Sequence, residues 1–211
     1  MGLEQFDRQI NSTDELAALI GQPSELVIRK QLPALDSHMQ EFLATSPFVL
    51  LGTLGADGRL DVSPRGDFPA VARVLDPGTL VIPERKGNRR IDSLRNIVET
   101  GQVGLLFITP GTGETLRVNG RACVLQDEDV LASLEAGGVQ PVAGIGVEVE
   151  ECYFQCAKAV IRSRLWQDAG AQAQAGARKF AEILAEQTGL EQQSVDELQE
   201  RIADSYRNML Y

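Results

Sequence analysis

The stretch Leu80-Val81-Ile82-Pro83-Glu84-Arg85-Lys86-Gly87-Asn88-Arg89-Arg90-Ile91-Asp92-Ser93-Leu94 carries the densest chemistry in the chain. Five cations, Arg85, Lys86, Arg89, Arg90 and Arg95, fall within eleven residues of a protein whose net charge is −10. An apolar run ends there, cations and a glycine follow, and helix-period spacing begins at Ile91, Leu94, Ile97 and Val98. Such a junction brings together free backbone N–H groups, the positive end of a helix and guanidinium donors. That combination suits a phosphate monoester: Arg85 and Lys86 grip the dianion, and Asn88 or the helix N-terminus adds hydrogen bonds. A solvated charged face is the competing reading.

Other chemistries find little support. His38 is the only histidine, and it sits on an expected N-terminal helix, with no serine elbow or cysteine motif beside it. A histidine metal site is excluded by that count, so no metal is expected. The three cysteines, Cys123, Cys152 and Cys156, are too few for an iron–sulfur cluster and are expected as reduced, buried thiols. Cys152 and Cys156 would share a helix face if their stretch is helical. Gly111-Thr112-Gly113 joins two strands and opens no helix, so it is a hairpin turn and not a dinucleotide fingerprint. No side chain stands out as catalytic, which favours a cofactor carrying the chemistry, or no chemistry at all.

The elements that must position the cationic segment follow from pattern and turn residues. Ser12-Thr13-Asp14-Glu15 is a capping box before Leu16–Ile20, and helical spacing continues over 24–31 and 35–44. Residues 48–54 and 59–63 flank Asp57-Gly58 as a hairpin, and 71–75 and 79–83 flank Asp76-Pro77-Gly78 as another. Strands over 102–109 and 114–126, a helix over 127–136 with an acidic first turn, and a strand over 141–151 come next. From about Cys152 onward the chain reads as mainly helical, with an Ala-rich stretch at 171–186 and an amphipathic one at 194–210. Six or more strands in antiparallel hairpin order give a barrel or sandwich and not a doubly wound sheet.

With 211 residues, 43% of them hydrophobic, the chain can bury one sizeable core and not two. The net negative charge argues against a nucleic-acid partner. No apolar run is long enough for a membrane helix, and the polar N-terminus is unlike a signal peptide, so a cytoplasmic location is expected.

The segment "ERKGNRRIDSL" after a strand resembles the Ser-Arg-Lys segment with which pyridoxamine 5'-phosphate oxidases hold the phosphate of FMN. The strands "VGLLFITPG" and "GETLRVNGRACVL" resemble that family's central hairpin. The tail "CYFQCAKAVIRSRLW" is similar to a form found in related bacterial flavin split-barrel proteins. The resemblance covers about residues 45–168. It implies a phosphate role for Arg85 and Lys86, a flavin contact at Thr115, and Arg164 and Trp166 near the cofactor. It also implies a homodimer with FMN between the subunits.

The chain departs from the family pattern in two places. The family's second phosphate stretch is an arginine and a lysine five apart on the preceding strand, and here Arg73 has no such lysine; Ser63 and Arg65 of "DVSPRGD" are the substitute donors. The family's C-terminal Arg-x-His substrate motif is also missing, since no histidine follows His38.

The expectation is therefore a mainly β fold: a six-stranded antiparallel split barrel with peripheral helices. A helical extension (1–45) precedes the FMN domain (46–168), and further helices (169–211) follow it. The implied function is FMN-dependent hydride transfer to or from a small molecule. The alternatives are a non-catalytic flavin-binding or storage protein, and a split barrel using a deazaflavin or haem.

Overall fold

The computed structural model describes residues 2–167, 179–189, 194–208 and 210. Three short helices open the chain: α1 (Thr13–Ile20), α2 (Glu25–Arg29) and α3 (Ser37–Leu43). The Ser12 hydroxyl accepts from the Glu15 N–H at 3.1 Å, so the capping box forms as read. Asp36 caps α3 in the same way through the Met39 N–H. The strands are β1 (Phe48–Leu54), β2 (Leu60–Gly66), β3 (Arg73–Asp76), β4 (Thr79–Glu84), β5 (Gln102–Ile108), β6 (Thr115–Leu125) and β7 (Ala143–Gln155). Between them lie α4 (Asp92–Thr100) and α5 (Glu128–Ala132); after them come α6 (Lys158–Ser163), α7 (Phe180–Thr188) and α8 (Ser194–Asn208).

All seven strands join one antiparallel sheet in the order β2-β1-β5-β6-β7-β4-β3. The split-barrel expectation holds in class and pairing sense, but the count is seven and not six. Every segment read as strand enters the same sheet, including short β3, which pairs only with β4. Both predicted tight turns form for a local reason: Asp57 accepts from the Arg59 N–H and Asp76 from the Gly78 N–H. A second correction concerns Cys152. The chain there is not helical: β7 runs on to Gln155, because its end pairs residue by residue with the start of β6, Leu116 opposite Phe154. Of the Ala-rich stretch, 171–178 lies outside the described residues.

Alternation along the strands fixes the core. Val49 and Leu51 of β1, Leu105 and Phe107 of β5, and Leu116 and Val118 of β6 point inward and are fully buried. Met39 and Leu43 of α3, one helical turn apart, and Ile97 of α4 pack into the same cluster. Gly120 sits at the bulge where β6 shifts register against β7, and a Cβ there would lie 1.9 Å from the Glu148 carbonyl oxygen.

Strand β2 inverts the usual pattern. Its inward positions are Asp61, Ser63 and Arg65, and its outward ones are Leu60, Val62 and Pro64. A polar inner face on an edge strand needs polar partners, and the curl of the sheet supplies them.

Candidate functional site

The two ends of the curled sheet meet at β2 and the end of β4. Arg65 of β2 pairs with Glu84, the last residue of β4. Two residues on, Asp67 accepts from Arg85 through Nε at 2.8 Å and Nη2 at 2.6 Å. Arg85 also donates to the Leu134 and Val139 carbonyls. The Arg85 and Asp67 side chains are only 13% and 5% exposed. Beyond them, Ser93 at the start of α4 donates to Asp61, so its oxygen accepts from the Ser63 hydroxyl at 2.9 Å. Asp61, Ser63, Arg65 and Asp67 thus form a polar seam that ties β2 to the connector between β4 and α4.

Several of the sequence-derived residues already hold partners within the chain. Arg85 is not a free phosphate cation; its guanidinium is committed to Asp67 and two carbonyls. Ser63 spends its single O–H on Ser93 and cannot also donate to a ligand. Lys86 and Asn88 lie exposed in the bend that follows. The Asn88 side-chain oxygen accepts from the Arg90 N–H at 2.9 Å, which tightens the bend and leaves the amide N–H groups for another partner. Among the described residues, Lys86 and Arg89 have no ion-pair partner. Arg89 holds a left-handed φ of 62°, unfavourable for a side-chain-bearing residue.

One atom of the seam stands apart, Arg65 Nε. It is buried and has no hydrogen-bond partner, the one such side-chain atom among the described residues. A buried, charged N–H without an acceptor is costly, and an anion brought against it would satisfy it. The bend beside it, with Lys86, Arg89 and Asn88, supplies further donors for a terminal phosphate. The donor set is of the kind that suits a terminal phosphate, with Arg65 at its centre.

Thr115, Arg164 and Trp166 form a second cluster. Thr115 opens β6 opposite Ile108 and Gln155. Trp166 donates from its ring N–H to the Thr112 carbonyl at 2.7 Å, pinning the tail to the β5–β6 turn. Arg164 ends α6 with a left-handed φ of 52° and is exposed. The register Gly66–Phe48–Ile108–Thr115 places this cluster at the same end of the sheet as Arg65, three strand spacings or about 14 Å away. The two clusters face opposite ways, however: Arg65 lies level with inward Val49, and Thr115 with outward Ile108. One chain does not bring them together on one surface.

A cavity of about 460 Å³ opens on the far side of the Arg85–Asp67 pair. Gln40, Phe68, Ala72, Pro83, Leu134 and Ala136 are among its walls. Its size lies in the range of small-molecule pockets.

The cysteines separate. Cys152 is fully buried, and burial, with Asp36 and Glu151 nearby, pushes its thiol up to about 11. Cys123 and Cys156 are exposed, against the expectation that all three are buried. The hydrogen bond from the Lys158 backbone holds the Cys156 thiol below its ordinary value. Among the described residues, no cluster of His, Cys, Asp or Glu could hold a metal ion, and no helix is long and apolar enough to cross a membrane.

A family model described as pyridoxamine 5'-phosphate oxidase matches residues 35–156, from just before α3 to just past β7. The chain belongs to this family. The matched span includes the whole seam and Thr115, while Arg164 and Trp166 lie beyond it. Solved structures that resemble the chain include HupZ of Group A Streptococcus, 17% identical, with 58% of this chain aligned to 94% of that one at a TM-score of 0.49. An FMN-binding protein from Syntrophomonas wolfei is 11% identical over 61% of this chain and 90% of that one, with a TM-score of 0.44. The FAD binding protein from Mycobacterium smegmatis is 14% identical over 59% and 97%, with a TM-score of 0.41. No curated protein sequence matches the chain.

Proposed function

We propose that this family member binds FMN and acts, as a homodimer, as an oxidoreductase on a small molecule. The observation that carries this reading is the unpartnered Nε of Arg65, buried beside a bend of exposed cations. Arg65 anchors the phosphate, with Lys86, Arg89 and the Asn88 amide as further donors. Asp67 and Glu84 hold the arginines in place, and Ser93 fastens α4 so that the bend stays against β2. Bound FMN supplies hydride exchange; the protein's share is to bind, orient and exclude water. The flavin ring reaches Thr115, Arg164 and Trp166 of the second subunit, because the clusters of one chain face opposite ways. The cavity beside Arg85 offers room for the small substrate.

Titration of the purified protein with FMN, followed by fluorescence quenching, tests the reading. Arg65→Ala and Lys86→Ala should each weaken binding by about tenfold or more, the loss expected for one charge-assisted hydrogen bond. Lys86 is exposed, so its variant separates binding from folding. Arg73→Ala, on the cavity wall, should bind as the wild type does. Unchanged affinity in both Arg65 and Lys86 variants would remove the phosphate seat. Bleaching of the bound flavin by NADH or NADPH, with reoxidation by an acceptor, distinguishes an enzyme from a storage protein.

A further inference from the structure

Strand β6 carries one further cation on the outward side of the sheet. Arg117 lies two residues from Thr115 on the same face, about 7 Å along the strand, and opposite Tyr153 of β7. Its guanidinium is held at two points. Nε donates to the Asn119 side-chain oxygen at 3.3 Å, and Nη1 donates to the Tyr153 hydroxyl at 3.0 Å. The same group stands 5.7 Å from the centre of the Tyr153 ring, within cation–π range. Arg117, Asn119 and Tyr153 are all half-buried.

Every one of these partners is neutral. Arg65 and Arg85 each meet a carboxylate that offsets their charge locally. Arg117 has no ion-pair partner among the described residues. Glu151 is the acid that the network reaches, and Asn119 stands between it and the cation. The Asn119 oxygen accepts from Arg117, while its amide donates to Glu151 at 2.9 Å. Gln31 donates to the other Glu151 oxygen at 2.6 Å, so two neutral amides hold that carboxylate. Lys30 adds a second cation to the corner, its Nζ 5.2 Å from the Tyr153 ring centre. A half-buried charge is screened less than one in open water, so this corner of an acidic protein keeps a local positive field.

We infer that Arg117 raises the electron affinity of bound FMN by stabilising the negative charge that its ring carries once reduced. This inference rests on the reading above, in which the ring lies against Thr115 of the second subunit. A hydride from NADH or NADPH brings two electrons and one proton to N5 of the ring, and the nicotinamide leaves oxidised. The electron pair displaced within the ring leaves one negative charge over N1 and the C2 carbonyl. A fixed cation beside that charge favours the reduced form over the neutral oxidised one. Asn119 and Tyr153 position the guanidinium for this without neutralising it.

Sulfite titration and the midpoint potential of the FMN-loaded, full-length protein test it, and neither depends on turnover. Sulfite puts the same negative charge on the ring, because its sulfur lone pair forms a bond to N5. Arg117→Gln removes the charge and keeps hydrogen-bonding groups. It should bind sulfite about tenfold more weakly and lower the potential by about 30 mV, the two-electron equivalent of tenfold. Arg117→Lys keeps the charge and should stay close to the wild type in both measurements. A wild-type protein that binds no FMN would overturn the flavin reading and this inference with it. Normal FMN binding, with potential and sulfite affinity unchanged in Arg117→Gln, would overturn the inference alone. So would an Arg117→Lys variant that falls as far as Arg117→Gln, since shape and not charge would then be at work. A wild-type holoprotein that takes up no sulfite would overturn it without recourse to any variant.

Discussion

At the seam, Arg65, Asp67, Glu84 and Arg85 are largely buried and meet in two ion pairs, backed by the hydrogen-bond chain Ser63–Ser93–Asp61. At the tail corner, Thr115, Arg164 and Trp166 are half-buried or exposed, and a single bond from Trp166 to the Thr112 carbonyl secures the tail. Under the proposed function the difference separates two tasks. A group that binds a dianion must hold fixed charges in place before the ligand arrives, so its cations are braced by carboxylates. A surface that closes over a planar ring from a neighbouring subunit needs only to be present and adjustable. Bracing has a consequence: the seam residues support the fold as well as the site, whereas the tail residues can change with little effect on stability.

Asp67 gives the largest expected effect and the sharpest way to break that distinction. Replacing it with alanine leaves the Arg85 guanidinium buried without its carboxylate. Urea denaturation of Asp67→Ala should show a loss of about 3–5 kcal/mol, the usual cost of breaking a buried pair from one side. If Asp67→Ala unfolds at the wild-type urea concentration, the seam is not braced as described and the comparison fails.

The sequence makes the hairpins, caps and core legible because each is set by neighbours in the chain. Asp57-Gly58 turns β1 into β2, Ser12 caps α1, and alternating Val49 and Leu51 mark the inward face. The cationic bend is legible for the same reason. Its partners are not. Whether Arg85 is free depends on Asp67, and the two meet only because the sheet curls through five intervening pairings. One signal was available: Asp61, Ser63, Arg65 and Asp67 recur at every second position beside apolar Leu60, Val62 and Pro64. A strand with its polar set facing inward demands partners of opposite charge, and Glu84-Arg85 is a matching pair. The reach of β7 past Cys152 was hidden similarly. Tyr153 and Phe154 suit either a strand or a helix, and the long partner β6 decides between them.

The end of β7 carries the same contrast, closed at Cys152 within the strand and open at Cys156 one residue past it, and pH reads it out. Cys152 has a folded value of about 11 against an ordinary 9.0. The unfolded chain therefore loses this proton first. The stabilisation is complete below pH 9, declines as pH rises, and is gone above about 11. Two pKa units correspond to roughly 2–3 kcal/mol. Urea melts from pH 8 to about 11 should show the wild type losing that much more stability than Cys152→Ala, which lacks the ionising thiol. Parallel curves would mean that Cys152 is open to solvent. Cys156, held below its ordinary value, should be alkylated faster than Cys123 at neutral pH, with Cys152 protected until the protein unfolds.

The smallest effect belongs to the tail corner, and its smallness is informative. Trp166→Phe keeps an aromatic ring and removes only the donor to Thr112. A partly exposed carbonyl can turn to water instead, so the stability loss should stay below about 1 kcal/mol. The same substitution frees the tail to drift from the β5–β6 turn, where the flavin ring of the second subunit would lie. FMN affinity should fall by a few-fold at most, while the rate of flavin reduction by NADH or NADPH changes by a larger factor, because orientation acts on the rate more steeply than on binding. A loss of stability as large as that of Asp67→Ala would place Trp166 among the braces of the fold and remove the division of labour between the two ends of the site.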